Sequence, residues 1–103
     1  MKSHAFHPAA RAEFEADIRF YAIERSGWGQ RFTDAVLCAV HQACTFPGSG
    51  SAYRDGIRML VTKDFPFVIF YELVDETIVI WAVMHGARRP DYWKSRRQPP
   101  LHE

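Results

Sequence analysis

The chain has 103 residues, 48% of them apolar and 15% aromatic, with a formal net charge of +1. That length suits one domain, since single-core domains run to about 100–150 residues, and the apolar content supports a packed core and excludes an intrinsically disordered chain. No apolar run reaches the roughly 18–20 residues that span a bilayer, and Met1-Lys2-Ser3-His4-Ala5 lacks the apolar centre of a signal peptide, so a cytoplasmic protein without a membrane partner is expected.

A short extended segment, about Ser3 to His7, comes first in the chain. Pro8 suits the first turn of a helix, where its missing N–H costs nothing. Phe14, Ile18, Tyr21 and Ala22 follow at helical spacing and form one apolar stripe. Glu13, Glu15, Asp17, Arg19 and Glu24 fall on the other faces, and Arg11, Arg19 and Arg25 read as solvated charges. The cluster Ser26-Gly27-Trp28-Gly29 ends this helix, with glycine free to take the left-handed cap conformation. A second stripe, Phe32, Val36, Ala39, Val40 and Ala43, runs on to Pro47, which stops it. So short a connection forces the two helices into an antiparallel hairpin, with Trp28 covering its end.

Residues 47–56 read as turn chemistry, from Pro47-Gly48-Ser49-Gly50-Ser51 to Asp55-Gly56. The period then changes. Ile57 to Thr62, Phe67 to Val74 and Thr77 to Met84 are strand candidates, with Asp75-Glu76 as a tight turn. Pro66 belongs at a strand start, where a lost donor is tolerable. Ile78 to Met84 is apolar without alternation, which predicts a central strand covered by helices on one face and partly covered on the other, with Trp81 in the core. The expected fold is α+β, β-α-α-β-β-β, with the helical hairpin packed on a small, mostly antiparallel sheet.

Charge is unevenly distributed. Residues 1–46 carry five Lys/Arg against five Asp/Glu, residues 47–85 three against five, and residues 86–103 five against two. The last block holds Arg88, Arg89, Lys94, Arg96 and Arg97. It suits either an acidic partner or a solvated tail. The strand pair empties into His85-Gly86-Ala87-Arg88-Arg89-Pro90-Asp91-Tyr92-Trp93, which sets cationic and stacking groups at the open end of a core hairpin. That is the candidate target-binding surface, with Arg88, Arg89, Tyr92 and Trp93 as contacts. Tyr92 and Trp93 can equally pin the tail to the sheet.

Metal and cofactor sites are not expected. Cys38, His41 and Cys44 offer three ligand types over about a third of a helix circumference, with no fourth ligand in sequence. The two cysteines fit a reducing compartment, point to different helix faces and read as small buried hydrophobes. There is no Gly-rich phosphate loop and no nucleophile with a neighbouring base pattern. Neither helix carries a basic recognition face, so DNA binding by this chain alone is not expected.

Six motifs occur in a characteristic order: His7-Pro8-Ala9-Ala10, Gly29-Gln30-Arg31-Phe32, Phe46-Pro47-Gly48, Ile57-Arg58, Phe65-Pro66-Phe67-Val68-Ile69-Phe70-Tyr71, and Val83 and His85 with Arg88-Arg89-Pro90-Asp91-Tyr92-Trp93. Together they resemble the RelE/ParE superfamily of type II toxin–antitoxin toxins, and within it the ParE-like branch often labelled plasmid-stabilisation proteins. The similarity spans about residues 4–93, so residues 1–93 read as one toxin domain and 94–103 as a basic C-terminal tail. The resemblance implies a growth-inhibiting toxin neutralised by a cognate antitoxin, which would contact operator DNA on behalf of the pair. ParE-type members inhibit DNA gyrase, whereas RelE-type members cleave mRNA on the ribosome. The antitoxin surface is expected on the helical hairpin and a sheet edge, because an open strand edge accepts another strand.

The residues separate these two activities. In-line attack by a 2′-hydroxyl needs a base, cations for the developing phosphorane charge and an acid for the leaving oxygen. The RelE branch places an arginine on the strand corresponding to 67–74 and a tyrosine near the C-terminus. Here Phe67-Val68-Ile69-Phe70-Tyr71-Glu72 has no Arg or Lys. A ribonuclease would have to use His85, Arg88 and Tyr92, with charge added by Arg58 and Lys63. The set is incomplete, so a gyrase-binding toxin is the leading expectation, a ribosome-dependent endoribonuclease the alternative, and a toxin-derived co-repressor a third.

Overall fold

The computed structural model of the chain describes residues 1–86 and 92–97. Arg88 and Arg89 lie outside the described residues. The element order is β1 (Ser3–Phe6), α1 (Pro8–Glu24), α2 (Trp28–Thr45), β2 (Ser51–Arg54), β3 (Ile57–Val61), β4 (Phe67–Val74) and β5 (Thr77–His85), with 3-10 turns at Pro47–Ser49 and Lys94–Arg97. The five strands form one sheet in the order β1-β5-β4-β3-β2. Every neighbouring pair is antiparallel except β1 with β5. The expected α+β architecture, a helical hairpin on a mostly antiparallel sheet, is what forms.

The local reasons follow the sequence. Pro8 occupies the first turn of α1, and the His7 Nδ1 accepts the Ala9 N–H at 3.1 Å, capping an orphan donor. Gly27 is left-handed at φ 83°, but it caps the start of α2 rather than the end of α1. Gly29 lies where the helices nearly touch, since a Cβ there would stand 2.9 Å from the Ala22 Cβ. Trp28 covers the hairpin end as expected, with Arg25 and Arg31 over its ring at 4.9 and 6.0 Å and Tyr21 and Phe65 beside it.

Three expectations are corrected. Residues 47–56 are not all turn, because Ser51–Arg54 pairs with β3 as an edge strand. The Asp55-Gly56 turn between them has both residues at positive φ, 51° and 84°, as a tight two-residue hairpin requires. The preceding strand is short, mostly exposed and carries little periodicity, which is why it does not announce itself. Cys38 is exposed while Cys44 is buried, because six helical residues turn one of them away from the sheet. Ala22, on the expected stripe, is exposed.

The helix-facing side of the sheet is an aromatic and aliphatic layer. Phe14, Phe32, Val36 and Val40 from the helices meet Phe67, Ile69, Ile78 and Ile80 from the strands. Phe32 and Phe67 rings pack edge to face at 4.8 Å. Tyr71 carries a polar group into this layer and satisfies it twice. Its hydroxyl donates to the Pro47 carbonyl at 2.8 Å and accepts the Gly50 N–H at 3.0 Å. Only glycine fits at position 50, since a Cβ would stand 2.6 Å from that hydroxyl.

The missing alternation in β5 has a geometric cause. Phe70 pairs with Ala82 and Tyr71 with Ile80, so Trp81 is an extra residue without a partner on β4. This bulge shifts the side-chain parity. Ile78, Ile80 and Val83 join the helix-side core, whereas Ala82 and Met84 join a second core on the other face. Trp81 is half-buried beside that second core, and its indole N–H donates to Glu72.

Candidate functional site

The second core closes around Trp93. Its ring is 2% exposed and rests on Ile57, Phe70, Ala82 and Met84. Phe70 is 4.9 Å away between ring centroids and Tyr53 is 6.1 Å away. As a target-contact residue Trp93 is therefore in an unfavourable place, because its surface is spent on the sheet. Among the described residues its indole N–H has no hydrogen-bond partner.

Residues 94–97, assigned to a basic tail from the sequence, continue the same packing. Arg96 reaches Glu13 of α1 with both terminal nitrogens, at 2.9 and 2.5 Å, and also donates to the Trp81 carbonyl at 3.1 Å. That carbonyl lies beyond the end of β1, whose pairing with β5 finishes at Phe6 opposite Ile80. Arg97 grips Glu72 through Nε at 2.9 Å and Nη2 at 2.8 Å. It also donates to the Asp55 carbonyl. Two planar guanidinium–carboxylate forks thus tie the segment after Trp93 to the fold, Arg96 to α1 and Arg97 to β4. The charge of Arg96 and Arg97 is matched within the fold rather than offered to an acidic partner.

These forks shift the groups that form them. The Arg97 hydrogen bonds hold the Glu72 carboxyl below the usual carboxylate range, although partial burial opposes this. Arg96 and Arg97 are raised in turn, each chiefly by hydrogen bonding to its carboxylate.

Tyr92 is half-buried beside the Arg96 fork. Its hydroxyl donates to the Glu13 Oε1 at 3.0 Å, and the Arg96 guanidinium lies 5.0 Å over its ring. His85, the last residue of β5, is exposed and sits edge-on to Phe67 at 5.2 Å. It borders an open recess of about 320 Å³ lined also by Asp17, Phe20, Tyr21 and Val83. Tyr21 within that recess has its phenol pKa raised, first by burial and then by the negative charge of Asp17. His85 and Tyr92 thus face different partners, one the recess beside α1 and the other the Glu13–Arg96 pair.

Arg58 and Lys63, the reserve cations of the ribonuclease reading, are separated as well. The Arg58 guanidinium donates to the Gly50 carbonyl at 2.8 Å and serves the loop before β2. Lys63 is exposed in the β3–β4 loop, beside Arg31, Asp34 and Cys38. The residues that sequence reasoning passed over are Glu13 and Glu72. From the sequence, Glu13 falls with the other acids away from the apolar stripe of α1, and Glu72 takes no role. The available signal was the excess of basic residues at the C-terminus, which did not say whether carboxylates, a partner or solvent would meet them.

No group of three or more metal-ligating side chains is placed to hold an ion among the described residues. No described helix is long and apolar enough to cross a membrane.

Comparisons with known proteins bear on most of the chain. No curated protein matches it. A solved structure described as the chromosomal ParDE TA system from P. aeruginosa superposes with a TM-score of 0.60 at 21% identity, covering 82% of this chain and 96% of that one. At that identity the likeness speaks to the fold. The family described as "ParE toxin of type II toxin-antitoxin system, parDE" matches residues 5–90, most of the chain, from the second half of β1 through β5. With its helical hairpin, five-stranded sheet and this extended sequence match, the chain belongs to the ParE toxin family of type II toxin–antitoxin systems.

Proposed function

We propose that this ParE-family toxin arrests growth by binding DNA gyrase in the cytoplasm and is held inactive by a cognate antitoxin. The observation that carries the reading is the chemistry of β4 and Tyr92. Phe67–Val74 contains no Arg or Lys, and the Tyr92 hydroxyl is engaged by Glu13. A site for RNA cleavage needs cations around the scissile phosphate and a free acid for the leaving oxygen. A binding toxin needs neither. Arg88, Arg89 and Tyr92 are the proposed target contacts, and Trp93 seats the segment that carries them. The antitoxin would cover the helical hairpin, where Phe20 and Ile23 are 55% and 84% exposed, together with a sheet edge. Operator DNA would be reached only through the antitoxin.

The test is expression without antitoxin, following thymidine and methionine incorporation over the first minutes. An early fall in thymidine with protein synthesis intact supports gyrase. Arg88→Ala with Arg89→Ala should then abolish arrest, and a fully toxic double variant would remove these residues from the proposed contact.

The alternative is a ribosome-dependent endoribonuclease using His85, Arg88 and Tyr92. One observation favours it: His85 is an exposed imidazole beside an open recess. An early fall in methionine incorporation, and near-total loss of activity in Tyr92→Phe, would establish it over gyrase binding.

A further inference from the structure

We propose that Glu13 and Arg96 are positioning residues for Tyr92, forming a fork that fixes the tyrosine ring for target contact. The inference rests on the reading of Tyr92 as a target contact and deepens it by naming what sets its orientation. Two contacts meet on the Tyr92 side chain, and a third joins the two groups that make them. The phenol O–H donates to the Glu13 Oε1 at 3.0 Å. An Arg96 terminal nitrogen donates to that same oxygen at 2.9 Å while the second takes Oε2. The guanidinium plane then lies 5.0 Å over the tyrosine ring. The hydroxyl contact fixes the ring in its plane and the cation fixes it across its face, so both torsions of the side chain are constrained.

The fork is itself anchored to rigid elements. Glu13 projects from the second turn of α1. Arg96 donates to the Trp81 carbonyl at the β5 bulge, a carbonyl that β1 stops short of. Both members are largely shielded, with side-chain exposures of 13% for Arg96 and 22% for Glu13, so solvent screens the pair less than a surface ion pair. Pre-ordering a contact residue removes an entropic cost from association. Tyr92 and Arg96 lie beyond the 5–90 match while Glu13 lies within it, so the fork joins a family element to a segment outside that match.

The experiment is a double-mutant cycle on growth arrest, with variants Glu13→Ala, Tyr92→Ala and their combination, each checked for cooperative melting. The dose for half-arrest should rise about tenfold in each single variant, equivalent to about 1.4 kcal/mol. The combined variant should be no worse than Tyr92→Ala alone, because Glu13 acts through the ring. Fluorotyrosine labelling adds a reading independent of the target, since the four tyrosines give four resonances. Glu13→Gln keeps an acceptor but loses the charge that holds Arg96, and it should shift the Tyr92 resonance selectively. Should Glu13→Ala not melt cooperatively, Glu13→Gln takes its place in the cycle.

An inactive Tyr92→Ala beside a fully toxic Glu13→Ala overturns the fork while sparing the target surface. A fully toxic Tyr92→Ala instead removes Tyr92 from the target surface and the positioning role with it. An unmoved Tyr92 resonance in Glu13→Gln overturns the fork whatever the target is.

Discussion

The two faces of the sheet are closed by different physics. On one, two helices press Phe14, Phe32, Val36 and Val40 onto the strands, and the buried polar group there, the Tyr71 hydroxyl, is satisfied by main chain. On the other, a single short segment inserts Trp93 and is then held by Arg96–Glu13 and Arg97–Glu72. Area burial is non-directional and does not titrate, so the helix face should respond to cavities and to loss of the Tyr71 hydrogen bonds rather than to acidification. A strap with one large apolar anchor and two carboxylate clamps should respond to cavities, pH and ionic strength together. The helix face rests on buried area, and the strap face adds charge-assisted hydrogen bonds that hold residues 92–97 on the fold.

That comparison can be broken at several points. The largest effect is expected at Phe32→Ala, which empties the centre of the helix-side core and should cost about 3–5 kcal/mol by denaturant unfolding. Trp93→Ala should cost a similar or somewhat smaller amount, about 3 kcal/mol, because the strap can partly collapse onto the sheet. It should also raise dye binding to exposed apolar surface and weaken growth arrest. Unchanged arrest in a folded Trp93→Ala protein would mean that seating the strap is irrelevant to function. Tyr71→Phe removes one donor and one acceptor from buried main-chain partners. A loss of about 1–3 kcal/mol is expected from the stranded Gly50 N–H and Pro47 carbonyl.

The smallest effect sharpens the comparison most. Glu72→Gln should lower stability by no more than about 1 kcal/mol at neutral pH, since the pair is only partly shielded. Its pH dependence is the informative part. The Glu72 carboxyl has a folded pKa below its unfolded value. The clamp therefore contributes fully above the unfolded value of about 4.3, and its contribution is lost as pH falls through the lower folded value. Wild type and Glu72→Gln should accordingly converge in stability on acidification below about pH 4, while Phe32→Ala stays offset from wild type throughout. A difference between wild type and Glu72→Gln that is constant with pH would show that the carboxylate charge is not what holds the strap.

Much of the fold is legible along the chain because its signals are local. The stripes at Phe14, Ile18 and Tyr21 and at Phe32, Val36 and Val40 declare two helices, and the short connection between them leaves only a hairpin. The strand β2 is less legible, since an edge strand with one buried neighbour has no reason to alternate. Asp55-Gly56 marked its hairpin turn, but a turn marks a strand only when the pairing partner is known. The candidate site divides in the same way. His85, Tyr92 and Trp93 could be singled out by type, yet which of them is exposed depends on contacts far away in sequence. Trp93 is taken up by Ile57 and Phe70, and Tyr92 is held by a carboxylate 79 residues earlier.

By itself, then, the sequence determined both helices and strands β1, β3, β4 and β5, because periodicity, proline and glycine act on the backbone within a few residues. It also marked the basic C-terminal end as the place where function should be sought. Only the tertiary structure decided which side chains that end presents. The Trp81 bulge reverses side-chain parity within β5 and so builds a second core, and Glu13 and Glu72 neutralise Arg96 and Arg97 across long sequence separations. Charge pairing and shape matching between distant segments are properties of proximity in space, and no local pattern encodes them.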